Sequence, residues 1–155
     1  ETIRYGAMLE VPALAETLDL IAPKLSFLSI GTNDLTQFLF AADRSNPKLA
    51  ERYDWLSLSI MRFLKRVQLS LAGHNVDVTV CGEMGGRRLE ALALLGIGIR
   101  RLSITPAGVG PIKELVRKVD LGEITQAMNA WLSSPPPSLR EALAGWAAER
   151  GIEVD

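Results

Sequence analysis

Four short apolar runs, each followed by a longer stretch with helical periodicity, constrain the fold of this chain more than any other feature. The runs predict strands at residues 3–9, 27–30, 76–80 and 101–104. The stretches that follow them predict helices at residues 13–21, 35–41, 57–72, 88–95 and 110–119. Because strands that alternate with helices are typical of βα units, we expect an α/β fold with a parallel sheet.

The last part of the chain has a different character. Its pattern predicts a helix at residues 124–132, a breaker with three prolines at residues 133–137, and a terminal helix at residues 139–150 before a short polar tail. We therefore divide the chain into a βα region at residues 1–132, the proline-rich breaker at residues 133–137, and a terminal helix with its tail at residues 138–155.

Four βα units leave two architectures open. A (β/α)8 barrel has eight strands and takes about 250 residues, so this chain would form about half of one. An open four-stranded sheet would have two unpaired edges, and a small doubly wound sheet is the other possibility; periodicity does not separate the two. The chain begins Glu1-Thr2-Ile3-Arg4, without an initiator methionine or a signal peptide, so we expect a piece of a longer protein.

Charge and cysteine content exclude several classes of protein. The net charge is -1, from 17 basic and 18 acidic residues, and no basic stripe indicates nucleic-acid binding. No apolar run approaches the roughly 18 residues that a membrane span needs. The single cysteine, Cys81, has no internal disulfide partner, which favours a reducing compartment. We expect a cytoplasmic protein that binds neither nucleic acid nor membrane.

Polar residues follow three of the predicted strands, where functional groups lie in parallel α/β folds. Glu10 follows the first strand, and Asn33 and Asp34 follow the second. Side chains that leave neighbouring strand ends can converge on one ion, and Mg2+ is commonly held by one or two carboxylates plus phosphate oxygens. Glu10 and Asp34 fit that demand, although Asp34 could equally be a helix N-cap.

Arg44 lies in the loop after the short third helix. Its planar guanidinium could bind a phosphate or a carboxylate through two parallel hydrogen bonds. Taken alone, the sequence favours a solvated loop arginine over a ligand-binding one.

Cys81 follows the third strand in a glycine-rich segment, CGEMGG. A thiol that is protonated at neutral pH can act as a general acid. Cys81 could also be a buried, unreactive thiol or a nucleophile. His74, the one histidine, precedes the third strand and is expected to be a loop residue at the opposite end of the sheet.

Three segments in this order resemble the phosphoenolpyruvate (PEP)-utilising enzymes, and Enzyme I of the bacterial phosphotransferase system most of all. They read MLEVP at residues 8–12, SIGTNDLTQ at residues 29–37 and CGEM at residues 81–84, within a similar region that spans residues 6–119. The sequence ADRSN at residues 42–46 looks more like Enzyme I than like pyruvate phosphate dikinase or PEP synthase. Residues 50–54 and 139–143 look most like the nitrogen-related branch of Enzyme I.

The resemblance implies the C-terminal half of a TIM barrel with extra C-terminal helices, and it implies a role for each matching residue. Glu10 and Asp34 would bind Mg2+, Asn33 and Asp34 would contact PEP, and Arg44 would hold the phosphate of PEP. Cys81 would protonate the methylene carbon as pyruvate forms.

At the level of the whole enzyme, the resemblance implies transfer of the phosphoryl group of PEP to an enzyme histidine and then to a phosphocarrier protein. That histidine and the carrier-binding helices are not expected in this sequence, and Enzyme I is a homodimer through its barrel domain. We therefore expect a half-site that is inactive alone. The alternatives are a segment of pyruvate phosphate dikinase or PEP synthase, and a dimerisation module without activity of its own.

Overall fold

A four-stranded parallel sheet organises the chain in a computed structural model that describes residues 3–154, apart from the side chains of residues 50 and 51. The strands are β1 (Gly6–Leu9), β2 (Phe27–Gly31), β3 (Asp77–Cys81) and β4 (Leu102–Ser103). They lie side by side in sequence order, and every adjacent pair is parallel. The prediction of an α/β fold with a parallel sheet is confirmed.

Helices connect and follow the strands. They are α1 (Pro12–Ala15), α2 (Leu18–Ile21), α3 (Thr32–Phe40), α4 (Leu58–Ser70), α5 (Arg88–Ile97), α6 (Pro106–Lys118), α7 (Leu121–Ser133) and α8 (Leu139–Glu149). Within residues 3–154, 3-10 turns occur at Ala22–Lys24, Pro47–Arg52 and Met84–Gly86. Within the described residues, every helix falls short of the length and apolar character that a membrane crossing demands.

The single helix predicted at residues 13–21 is wrong, because the segment forms two short helices. The hydroxyl of Thr17 donates a hydrogen bond to the Leu14 carbonyl, 3.1 Å away. A threonine that bonds locally to the backbone offers it an alternative to a continuous helix, and α2 starts only after Thr17.

Other boundaries, and the character of the tail, also differ from the prediction. Helix α3 begins at Thr32 instead of residue 35. Helix α6 begins at Pro106 instead of residue 110, because proline suits a first helical turn, and the glycines that follow it hide the helical pattern in the sequence. Strand β4 is two residues long, and the tail is not wholly polar because Ile152 is buried.

The two faces of the sheet differ in burial. Leu9, Leu28, Ile30 and Val80 are fully buried on the face that carries the hydrophobic core. The alternate residues belong to the other face, where Met8 is 51% exposed and others are partly buried. Because side chains alternate along a strand, this pattern shows that helices cover one face and leave the other open.

Helix α5 is the centre of the helical layer. All of its residues from Leu89 to Ile97 are buried, as expected for a helix that is apolar on every side apart from Glu90. It passes through Gly96, where we predicted its end, because Gly96 packs against α7: a Cβ there would lie 2.4 Å from Met128 Cγ and 3.2 Å from the Ile124 carbonyl. The helix ends at Gly98, which has a φ of 105°.

Candidate functional site

The candidate residues gather at the carboxyl ends of three adjacent strands. In the register of the sheet, Leu9 pairs with Ile30, and Gly31 pairs with Cys81. Glu10 follows Leu9 directly, so it lies level with the end of β2. The first three strands therefore bring Glu10, the start of α3 and Cys81 to one edge of the sheet.

Glu10 lies over the end of β2. A Cβ built on Gly31 would come within 3.3 Å of Glu10 Cβ and 3.5 Å of its Oε2 atom. Because glycine leaves this space free, the Glu10 carboxylate can occupy the sheet edge directly beside the first turn of α3.

Asp34 lies in the first turn of α3, and the N-cap interpretation of this residue is wrong. The N-cap is Gly31, and no side chain of the described residues caps the helix there. The Asp34 Oδ1 atom instead lies 3.6 Å from Nη2 of Arg44. The structure thus brings Arg44 next to the strand-end carboxylate, which the sequence alone did not favour.

The Arg44 loop is held by local hydrogen bonds. The Arg44 amide donates to Gln37 Oε1 over 3.2 Å, and the amide and hydroxyl of Ser45 donate to Asp43 Oδ1 over 2.8 and 2.7 Å. The hydrogen bonds from Ser45 hold the pKa of Asp43 below its ordinary value. Since both members of the Arg44–Asp34 pair are about half exposed, their attraction is weak, and the guanidinium can turn to bind an anion.

Cys81 is the last residue of β3 and not, as expected, a loop residue after the strand. Its Sγ atom accepts a hydrogen bond from the Ser29 hydroxyl at 3.2 Å and donates to the Ile30 carbonyl at 3.4 Å. The thiol is half-buried and is oriented by two groups of the neighbouring strand. Ser29 was not identified from the sequence, because only the register places it beside Cys81.

A sharp turn after Cys81 ties β3 to α3. Gly82 has a φ of 106°, and a Cβ there would lie 2.8 Å from Thr32 Oγ1, so the turn requires glycine. Thr32 donates its hydroxyl proton to the Cys81 carbonyl at 3.0 Å, and the Glu83 amide donates to Asn33 Oδ1 at 3.4 Å. Asn33 therefore helps to fix the position of the Cys81 segment.

The carboxylates at this edge suit a hard divalent cation that binds oxygen ligands. Among the described residues, no group of three or more His, Cys, Asp and Glu side chains could hold an ion by itself. Glu10 and Asp34 are the two candidate carboxylates at the edge, and Mg2+ commonly takes one or two carboxylates while water and phosphate oxygens complete its shell. The donor set fits Mg2+ bound together with a phosphorylated ligand.

His74 is remote from this edge. It is exposed and lies in the connection between α4 and β3, three residues before the strand begins. This position, at the amino ends of the strands, agrees with the expectation of a loop residue.

A cleft of about 260 Å³ adjoins the site. Its lining contains two of the candidate residues and five that sequence reasoning did not identify, namely Asn33, Arg44, Tyr53, Trp55, Glu83, Arg87 and Arg140. Arg140 comes from the terminal helix, 53 residues beyond Arg87, and no local pattern predicts that the two share a cleft.

Comparison with known proteins gives a consistent result. Residues 1–121 match the family described as "PEP-utilising enzyme, PEP-binding domain". The chain is 40% identical over 134 residues to a phosphoenolpyruvate-protein phosphotransferase of Borreliella burgdorferi, covering 86% of this chain and 23% of that protein. It is 35% identical over 150 residues to an Escherichia coli protein named phosphoenolpyruvate-dependent phosphotransferase system, covering 96% of this chain and 20% of that one.

A third relative is the multiphosphoryl transfer protein of Xanthomonas campestris, which is 39% identical over 121 residues, or 78% of this chain and 14% of the relative. The chain thus spans a quarter or less of the length of these curated relatives.

Proposed function

Because this chain belongs to the PEP-binding domain family of the PEP-utilising enzymes, we propose that it supplies the PEP- and Mg2+-binding half of the active site of a phosphoenolpyruvate-protein phosphotransferase. One observation carries the proposal. The carboxyl ends of three adjacent parallel strands bring together Glu10, the Asp34–Arg44 pair and Cys81. The names of the relatives favour a phosphotransferase over a dikinase or synthase segment.

We propose further that the sheet is the C-terminal half of a (β/α)8 barrel, with α7 and α8 as additional helices. Two features of the sheet support this. Its order, β1-β2-β3-β4, has no reversal point of the kind that characterises doubly wound sheets. Its second face, which carries Met8, Ser29 and Cys81, is only partly covered and would become the barrel interior when four more strands close the sheet.

In the proposed complex, Glu10 and Asp34 hold Mg2+, and Asn33, Asp34 and Arg44 contact PEP. The bound Mg2+ would neutralise negative charge on the phosphoryl group during transfer. Arg44 would bind the phosphate oxygens, moving its guanidinium away from the weak pair with Asp34. Charge stabilisation of this kind is the main catalytic contribution in phosphoryl transfer.

Cys81 completes the proposed reaction. The bond between phosphorus and the enol oxygen of PEP breaks as phosphorus bonds to a histidine nitrogen of another part of the parent protein, and the enolate of pyruvate remains. The Cys81 thiol gives its proton to the methylene carbon of that enolate, which yields pyruvate and a thiolate. The Ser29 hydroxyl, which donates to Sγ over 3.2 Å, would stabilise the thiolate until it is reprotonated.

For the parent protein, we propose onward transfer from that histidine to a phosphocarrier protein, a homodimer formed through the barrel domain, and a cytoplasmic location. An assembly role for this part of the chain is favoured by the exposed apolar side chains of Leu20, Phe38 and Leu69 on the helices. Sedimentation of the chain at high micromolar concentration tests the dimer, and a strictly monomeric chain would count against it.

Titration calorimetry tests the site directly. We expect PEP to release heat on binding only when Mg2+ is present, and Asp34→Asn to abolish that heat. The matched control is Asp19→Asn, since Asp19 is an exposed aspartate that also lies in the first turn of a helix. Equal heats from the parent chain and Asp34→Asn would remove Asp34 from the site.

A further inference from the structure

The cleft beside the candidate site is lined mostly by residues that the proposed PEP complex does not use. Tyr53, Trp55, Arg87 and Arg140 line it together with Asn33 and Arg44. We propose that this cleft is a second anion site, which binds phosphate or a similar small dianion next to the position of the PEP phosphate.

Positive charge is available in the cleft. The Arg87 guanidinium lies 4.9 Å above the Trp55 ring and forms no ion pair within the described part of the chain. Arg44 contributes a second guanidinium, whose contact with Asp34 is long at 3.6 Å. Glu83 also lines the cleft, but its side chain is exposed and well hydrated, so it opposes an anion only weakly.

Unused hydrogen-bond donors add to this charge. The Tyr53 hydroxyl and the Trp55 indole N–H are buried, and neither has a hydrogen-bond partner among the described residues. A buried donor without a partner costs about 1–3 kcal/mol, so a side-chain rotation that brought either donor to an anion in the cleft would be favourable. Burial raises the pKa of Tyr53, so its hydroxyl keeps the proton that it would donate.

The segment that carries the two aromatic residues is held in place before any ligand binds. Asp54, between them, accepts hydrogen bonds from the Leu56 amide at 2.9 Å and from Arg140 at 2.6 Å. Arg140 also donates a hydrogen bond to the buried carboxylate of Glu90 at 2.9 Å, and Glu90 lies about one helical turn after Arg87 in the sequence. Three elements are thereby joined around the cleft, and a pre-formed site binds without the entropy cost of ordering its walls.

The second site differs from the PEP site in what it requires. Arg140 lies outside residues 1–121, the part that matches the PEP-binding family. The position of this site beside the PEP phosphate rests on the proposed function, but binding at Arg87 and Tyr53 needs neither Mg2+ nor Glu10 nor Cys81, so phosphate binding without Mg2+ separates the two proposals. Because Arg44 and Asn33 line this cleft and are also proposed to contact PEP, two dianions would weaken each other's binding.

Inorganic phosphate is the probe, and NMR of the tryptophan indole groups is the readout. The chain has three tryptophans, and Trp55→Phe identifies the Trp55 indole signal by its disappearance. With ionic strength held constant by sodium chloride and without Mg2+, we expect phosphate to shift the Trp55 signal saturably and to leave those of Trp131 and Trp146 in place.

Arg87→Gln should weaken this binding by about tenfold or more, since a charged hydrogen bond is lost. The control Arg117→Gln removes the same charge from an exposed position on α6 and should leave the affinity within twofold. Two results would overturn the inference: an unsaturable shift at Trp55, or an affinity that depends on Arg44 but not on Arg87. The second would mean that phosphate occupies only the PEP phosphate position.

Discussion

Replacing Arg140 with methionine isolates the contact that joins the terminal helix to the rest of the chain. The Arg140 Nη2 atom lies 2.9 Å from Oε1 of Glu90 and 2.6 Å from Oδ1 of Asp54. These contacts, with that to Asp54 foremost, raise the pKa of Arg140. Glu90 is only 2% exposed, so the variant leaves its carboxylate buried without a counter-charge among the described residues.

The expected loss follows from this burial. Removing one partner of a fully buried ion pair costs about 3–5 kcal/mol. The Arg140 side chain is 43% exposed, so water screens the pair and lowers the value. We expect the free energy of unfolding to fall by about 2–3 kcal/mol, which lowers the midpoint of urea unfolding by about 1–1.5 M at an m-value of roughly 2 kcal/mol/M.

A double-mutant cycle tests the reason for the loss. In the Glu90→Gln background no buried charge is left alone, so Arg140→Met should cost less by about 1–2 kcal/mol than it does in the parent chain. Arg117→Met on the exposed side of α6 controls for the loss of one positive charge. Additive effects of the two substitutions, measured by circular dichroism in urea, would refute the assignment of the loss to Glu90.

Three further substitutions test other parts of the structure. Gly96→Ala should lower the free energy of unfolding by about 1–2 kcal/mol in urea, because its Cβ would lie 2.4 Å from Met128 Cγ; an unchanged midpoint would contradict the close α5–α7 packing. Gly82→Ala should lower the free energy of unfolding by about 1–3 kcal/mol, since its φ is 106° and its Cβ would meet Thr32. It should also weaken PEP binding in calorimetry, and an unchanged PEP affinity would mean that this turn does not shape the PEP site. Hydrogen bonds from Arg4 and then Arg101 hold the pKa of Asp77 below its ordinary value of 3.8, so this carboxylate stabilises the fold above that pH and the stabilisation is lost as the pH falls through the lowered pKa. Asp77→Asn should therefore reduce the acid-induced loss of stability in urea unfolding at stepped pH, whereas Asp19→Asn should leave it unchanged.

Much of the fold could be predicted because its signals are local. Apolar runs and helical periodicity located the strands and most helices, and the polar residues after three strands identified the candidate site. Boundaries failed where a tertiary contact or a local hydrogen bond decided them. Thr17 divides a predicted helix through its bond to Leu14, and Gly96 allows α5 to continue because it packs against α7.

The sequence by itself determined the order of strands and helices and the residue types at the strand ends, since both depend on neighbours in the chain. Only the tertiary structure decided which groups meet. The register places Ser29 beside Cys81, the loop geometry places Arg44 beside Asp34, and helix packing brings Arg140 to Glu90. These pairs are 10 to 52 residues apart, and their contacts depend on how whole elements pack, which no local pattern encodes.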